Sequence, residues 1–277
     1  MGLHIYYFLT FFLLKAVNST SITNKESIDM YLIQRAAIHS FHTYNPNEKN
    51  HLIDEYFFNS EKNNVYGEIG FDEDIKHVIV AFRGTVLKGR SGILNLINII
   101  NNLSMQKIET EEICKNCKIH AGFIRSYFSI KDFFISELEK LIKKYSDYPI
   151  TIVGHSLCGA LATVMAADCY GLLFNKVNLV TFGRPRVGNE HFTKYIESLE
   201  GINYRITWGK DPVVTLPINT SGNYVHEINE INFNYKEDYS LKFGNEKTDT
   251  NSNFPNIFYV KDHGFYRELI NINKLSS

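Results

Sequence analysis

The 277-residue chain has no run of lysine or arginine, and its 29 basic side chains are nearly balanced by 30 acidic ones. That balance leaves no electrostatic footprint for nucleic acid or for an anionic membrane surface, so neither is expected as a partner. An uninterrupted apolar stretch of about 20 residues, which a bilayer-spanning helix requires, is also missing. The apolar and aromatic run from Ile5 to Leu14 is too short for that. Cysteine is scarce: Cys114-Lys115-Asn116-Cys117 has no second Cys-x-x-Cys or His-x-His to complete a four-ligand metal site. Neither a metal nor another cofactor is expected. No internal repeat or long linker divides the chain, which is 44% hydrophobic and 14% aromatic, enough for one large core.

The amino-terminal run ends at Lys15 and is followed by Ala16-Val17-Asn18-Ser19-Thr20. Its length and the small residues Val17 and Ser19 fit a secretory signal cut before Thr20, giving a signal over 1–19 and one domain over 20–277. The alternatives are a retained anchor or a buried strand. In an oxidising compartment the Cys114–Cys117 pair reads as a small local disulfide. Cys158 and Cys169 are expected on one helix about 16 Å apart, beyond disulfide reach, as free buried thiols. Asn102-Leu103-Ser104 and Asn219-Thr220-Ser221 are sequons that secretion can use.

Apolar spacing from Ser27 to Tyr44 predicts an opening helix, followed by a polar loop over 45–64. Val65 to Phe71 alternates as a strand, and Ile75 to Phe82 reads as a strand covered on both faces, ending at Arg83-Gly84-Thr85. Val86 to Lys107 contains Ile93, Leu94, Leu96, Ile97, Ile99, Ile100 and Leu103 with asparagines between them. This segment is either plain core or an amphipathic flap over an apolar cleft. A helix over 124–145, a strand from Ile150, a helix of small residues from Leu157 to Tyr170 closed by Gly171, a strand over Val177–Phe182, a helix over Glu190–Leu199 and a strand over Tyr204–Trp208 follow. Alternating strands and helices predict a mostly parallel sheet flanked by helices.

The stretch Thr151-Ile152-Val153-Gly154-His155-Ser156-Leu157-Cys158-Gly159-Ala160 runs from strand character through glycine and serine into helix formers. It is a Gly-x-Ser-x-Gly nucleophile elbow with Cys158 in the last position. In such a turn the serine hydroxyl projects from the sheet, and the N–H of Leu157 points where a carbonyl oxygen becomes negative. Thr85 stands at a strand end where a second oxyanion donor would sit, although a loop-capping hydroxyl is the simpler role from position alone. A nucleophilic serine needs a histidine base and a carboxylate to orient it, and elbow enzymes carry them in the order serine, acid, histidine. Ser156, Asp211 and His263 satisfy that order. Among rivals, His120, His191 and His226 are other possible bases and Asp168 and Asp262 other acids, with His226 and His263 nearly even by position.

Several stretches together resemble the fungal-type class 3 lipases of the α/β-hydrolase superfamily. They are Ala81-Phe82-Arg83-Gly84-Thr85, Cys114 to Phe123 with its Cys-x-x-Cys and His-x-Gly-Phe, Gly154 to Ala162, Thr181 to Asn189, and Asp211 to Pro217. The resemblance runs from about Ile28 to Leu269. It implies an α/β-hydrolase fold with a lid and a secreted serine esterase acting on acylglycerols through an acyl-serine. Ser156 would be nucleophile, His263 base, Asp211 the orienting acid, and Thr85 and Leu157 the oxyanion hole. His120 and His155 would lie near the site outside the triad. A lipid or other ester is the implied partner, with transient contact to a lipid interface through the lid. Two departures stand out: Cys158 replaces an elbow glycine, and the lid lacks the family's tryptophan, since the sole tryptophan is Trp208. Esterases of phenolic or phospholipid esters use the same triad, and a distorted elbow would instead leave an inactive lipid-binding protein.

Overall fold

The computed structural model describes residues 28–45, 51–60, 65–83, 89–102, 107–173, 176–218, 224–234, 239–243 and 257–274. The candidate signal, Thr85 and the Asn219 sequon lie outside them. In chain order the strands are β1 (Leu52–Ser60), β2 (Val65–Asp72), β3 (His77–Arg83), β4 (Lys107–Glu109), β5 (Lys118–His120), β6 (Ile150–His155), β7 (Val177–Phe182), β8 (Asn203–Trp208), β9 (Asn229–Phe233) and β10 (Tyr239–Phe243). The helices are α1 (Met30–His42), α2 (Gly89–Asn102), α3 (Ala121–Phe128), α4 (Lys131–Lys144), α5 (Leu157–Leu173) and α6 (Glu190–Glu197), and a kinked 3-10 segment covers Ile257–Lys274.

Eight strands form one sheet in the order β1-β2-β3-β6-β7-β8-β9-β10. Pairings from β3 through β9 are parallel, while β1–β2, β2–β3 and β9–β10 are antiparallel. The parallel centre follows from composition, because its strands are continuous apolar runs that both faces must cover. Alternate residues of β3 go to opposite cores: Val78, Val80 and Phe82 pack with α3, α4 and α5, and Ile79 and Ala81 pack with α1 and the 3-10 segment. Helices thus flank a mostly parallel sheet, as the α/β-hydrolase expectation required.

Charge also holds α1 to the sheet. Arg35, His39 and His42 share one face of α1 at helical spacing, and they meet Asp72 and Glu68 on one face of β2. Arg35 Nη2 lies 2.7 Å and His39 Nε2 2.6 Å from Asp72 Oδ2, and His42 Nδ1 lies 2.8 Å from Glu68 Oε2, all buried. Burial alone would push the Asp72 carboxyl up, but bonds and charge from His39 and Arg35 outweigh it and hold it well below the usual carboxylate range.

Four local expectations need correction. The polar loop over 45–64 contains strand β1, whose alternation is broken by a register shift between Ile53 and Tyr56, with Asp54 at φ 49°. The single helix over 124–145 is two helices, because α3 ends at Ser129, whose N–H bonds Arg125 and Tyr127 carbonyls. Gly171 does not close α5, which continues to Leu173. Trailing strands β9 and β10, and the small β4–β5 hairpin, were not expected. Cys114 and Cys117 meet in disulfide geometry with Cα atoms 5.4 Å apart, and Cys158 and Cys169 are free and buried. Among the described residues no helix is long and apolar enough to cross a membrane.

Candidate active site

The turn from β6 into α5 sets Ser156 apart from every other residue of the elbow. Its φ is 60°, a left-handed conformation that costs a non-glycine residue about 1–3 kcal/mol. The surrounding structure imposes it: Ser156 N–H donates to the Phe182 carbonyl at the end of β7, and the Ser156 carbonyl accepts from Gly159 N–H. A Cβ on Gly154 would fall 2.3 Å from the Cys158 carbonyl oxygen, so only glycine lets strand and helix cross this closely. The backbone of Cys158 therefore sits as tight against Gly154 as the motif demands. Its side chain leaves the turn, is 4% exposed and packs into the core under α5. Burial pushes its thiol up to about 12, so it remains protonated.

Two further chain segments converge on this serine. Asp211 follows β8 on a turn closed by its own N–H to the Trp208 carbonyl, and its Oδ1 accepts from Val213 N–H at 2.8 Å. His263 lies in the 3-10 segment, with Nδ1 2.9 Å from Asp211 Oδ2 and Nε2 2.9 Å from Ser156 Oγ. A carboxylate only accepts, so Nδ1 carries the proton and the neutral ring presents Nε2 as acceptor to the serine hydroxyl. All three residues are at most 3% exposed.

The rival residues are engaged elsewhere. His226 Nε2 bonds the Val214 carbonyl, and burial with the charges of Arg205, Arg184 and Arg186 lowers its pKa well below the usual histidine value. His191 is exposed on α6. Asp168 is held by Tyr127 Oη at 2.5 Å and Lys131 Nζ at 2.8 Å, and Asp262 Oδ2 accepts from Lys210 N–H. His120 caps α3 by accepting from Gly122 N–H at 3.1 Å, and burial lowers its pKa against the opposing pull of the Ile100 carbonyl.

Sequence reasoning missed two tyrosines. Tyr266 Oη donates to Asp211 Oδ2 at 2.7 Å and accepts from Trp208 N–H at 3.0 Å. Burial and Asp211 raise its pKa far above the usual tyrosine value, which keeps it a donor. Gly183, at φ 57°, makes room: a Cβ there would lie 2.7 Å from the Tyr266 ring and 2.8 Å from Asp211 Oδ2. Tyr44 Oη donates to His155 Nδ1 at 2.9 Å, and His155 Nε2 donates to the His263 carbonyl at 3.0 Å. Burial and the neighbouring His263 lower the His155 pKa well below normal, so it holds His263 as a neutral ring. Only the short spacing of Tyr266 from His263 was a usable signal. Tyr44 is 111 residues from His155, and nothing local marks it.

Helix α2 lies across this centre. Leu96, Ile97 and Ile100 pack against Val213 and Leu216, with Leu157 at the margin, as a cluster separate from the two cores flanking the sheet. Asn95 and Asn98 point to solvent. The helix is amphipathic with its apolar face inward, directly over the residues that follow Ser156 and Asp211. Of the two oxyanion candidates, Leu157 opens α5, whose first-turn N–H groups find no partner within the helix, and Thr85 is outside the described residues.

Comparison with known proteins gives the family and the fold. The family described as Lipase (class 3) matches residues 79–221, just over half of the chain. The secreted mono- and diacylglycerol lipase 2 of Gibberella zeae is 32% identical, with 54% of this chain and 41% of that protein covered. The secreted mono- and diacylglycerol lipase A of Penicillium cyclopium is also 32% identical, over 61% of this chain and 52% of its own length. The chain thus spans about half the length of the curated relatives it matches. Among solved structures, a mono- and diacylglycerol lipase from Aspergillus oryzae superimposes with a TM-score of 0.72 over 89% of this chain and 99% of its own, at 23% identity. A lipase from Rhizopus microsporus var. chinensis gives 0.68 over 84% and 85% at 24% identity. The matched stretch contains Ser156 and Asp211. The chain belongs to the class 3 lipase family.

Proposed function

We propose that this chain is a secreted serine esterase of lipase type that hydrolyses acylglycerol esters through an acyl-serine intermediate. The observation that carries the reading is His263 held between Ser156 and Asp211 in the tautomer that accepts the serine proton. Ser156 Oγ attacks the ester carbonyl as its proton passes to His263 Nε2, and Asp211 stabilises the resulting imidazolium. The N–H groups of Leu157 and Thr85 receive the oxyanion. His263 then protonates the leaving alcohol, and a water deprotonated by the same nitrogen releases the fatty acid. No cofactor enters these steps. Cys158 does not argue for an inactive elbow, because its side chain lies outside the turn.

Helix α2 is the lid in this reading. Moving it would uncover Leu96, Ile97, Ile100, Val213 and Leu216 beside Ser156 without opening either main core, and would present an apolar face to a lipid surface. The names of the relatives favour mono- and diacylglycerols as substrates. Activity on p-nitrophenyl esters, emulsified monoacylglycerol, diacylglycerol and triacylglycerol, and a phospholipid tests the proposal. Acylglycerols should be hydrolysed in preference to phospholipid, and inertness toward all would refute it. Leu96→Ser/Ile100→Ser in the same panel tests the lid: it should weaken attack on emulsion more than on a soluble short-chain ester. Equal losses on both would contradict the lid.

A further inference from the structure

We infer that Tyr44 and His155 are positioning residues for the base, forming a hydrogen-bonded chain that ties the end of α1 to the backbone of His263. The inference rests on the esterase reading above and deepens it. His155 is the last residue of β6, paired with Phe182 of β7, and it immediately precedes Ser156. Its backbone therefore shares both the rigidity of the sheet centre and the placement of the nucleophile. Its ring crosses to the 3-10 segment, where Nε2 lies 3.0 Å from the His263 carbonyl oxygen. Asp211 holds the base at its ring, through Nδ1 at 2.9 Å, whereas His155 holds the same residue at its main chain. Held at both ends, His263 keeps Nε2 at the 2.9 Å from Ser156 Oγ that proton transfer needs.

The tautomer of His155 decides which second partner it needs. A carbonyl oxygen only accepts, so Nε2 carries the proton and Nδ1 is left as an acceptor. A buried acceptor without a donor is costly, and the other tautomer would set a ring lone pair against the carbonyl. Tyr44 Oη supplies the donor, 2.9 Å from Nδ1. Tyr44 comes two residues after His42, the last residue of α1, and α1 is held to β2 by Arg35, His39 and His42. Phe41, Tyr44, His263 and Tyr266 enclose the His155 ring, with ring centroids 5.2, 6.0, 4.6 and 5.5 Å away. A charged His155 at that distance would oppose the imidazolium that forms when His263 takes the serine proton. Burial and His263 itself lower the His155 pKa well below normal, so it stays a neutral donor through the cycle.

Tyr44→Phe removes only the hydroxyl, His155→Leu removes both bonds of the ring, and His155→Gln keeps an amide N–H near the place of Nε2. On a soluble short-chain ester, Tyr44→Phe should lower kcat about fivefold to tenfold and His155→Leu about 30-fold, both with KM unchanged and both well short of the roughly 10⁴-fold expected on losing the base. His155→Gln should recover most of what His155→Leu loses. Capture by a p-nitrophenyl alkylphosphonate, which needs Ser156 and its base, should slow in the same ratio as kcat. In the double variant, Tyr44→Phe should cost nothing beyond His155→Leu, because no Nδ1 remains to receive its hydroxyl. Additive losses overturn the inference, as do a Tyr44→Phe enzyme with unchanged kcat, a rise in KM alone, or a Gln variant no better than Leu. If His155→Leu fails to fold, kcat and the capture rate of Tyr44→Phe decide, since that variant keeps the ring stacked on Phe41. A parent chain without esterase activity overturns both this inference and the proposed function, whereas an active parent with indifferent variants overturns this inference alone.

Discussion

Ser156→Ala and His263→Ala should each lower ester hydrolysis about 10⁴-fold or more while leaving the fold intact, because neither side chain supports either main core. The two losses should not add in the double variant, since the hydroxyl is a poor nucleophile without its base and the base has no task without the hydroxyl. Asp211→Asn should also be severe. It would leave His263 without the acceptor that fixes its proton on Nδ1, and it would replace one acceptor of Tyr266 Oη. By contrast, His226→Ala should alter turnover only through stability, because its ring bonds the Val214 carbonyl among three arginines. Rates on a p-nitrophenyl ester for the four variants check this. A His263→Ala enzyme with retained turnover would overturn the base assignment.

The second large effect concerns stability. Arg35→Ala should cost about 3–5 kcal/mol, the usual result of leaving one member of a buried ion pair behind. Its Nε donates to Asp72 Oδ2 and its Nη2 lies 2.7 Å from the same oxygen in an ion pair, and Asp72 is fully buried on β2. The pH dependence has a definite sign. The Asp72 carboxyl is held below its unfolded value, so its contribution is complete above about pH 4 and is lost as pH falls below that. Urea unfolding at pH 7 should show the full gap between parent and variant, and the gap should narrow on acidification below pH 4. A variant within about 1 kcal/mol of the parent at pH 7 would contradict this account of how α1 is held.

What the sequence disclosed and what it hid follow from the range of the interactions involved. The central strands and the elbow were legible because a buried parallel strand must be continuously apolar and because Gly154 and Ser156 answer a steric demand set within five residues. Ser156 and Asp211 were legible because each follows a strand, β6 and β8, whereas His263 lies inside the 3-10 segment and was ordered only by its place after them. Strand β1 was not, since the shift at Ile53–Tyr56 destroys the period on which strand recognition depends. The break between α3 and α4 has neither glycine nor proline at Ser129 and Ile130 to announce it. Strands β9 and β10 are short and interspersed with polar residues, with β10 at the edge of the sheet. Position alone left His263 and His226 nearly even and only the family resemblance picked His263, because its contacts span 52 and 107 residues; the roles of Tyr266 and His155 depend on contacts of the same kind. Cys158 raised a doubt about the elbow from the sequence pattern, and the structure places its side chain in the core under α5.

The most direct test of the central claim is covalent capture of the nucleophile. A p-nitrophenyl alkylphosphonate should react once per chain, forming an Oγ–P bond and releasing p-nitrophenolate. Peptide mass mapping should place the adduct on Ser156 with loss of esterase activity in the same proportion, and His263→Ala should react far more slowly. Labelling at another residue, or reaction of His263→Ala at the parent rate, would contradict the account.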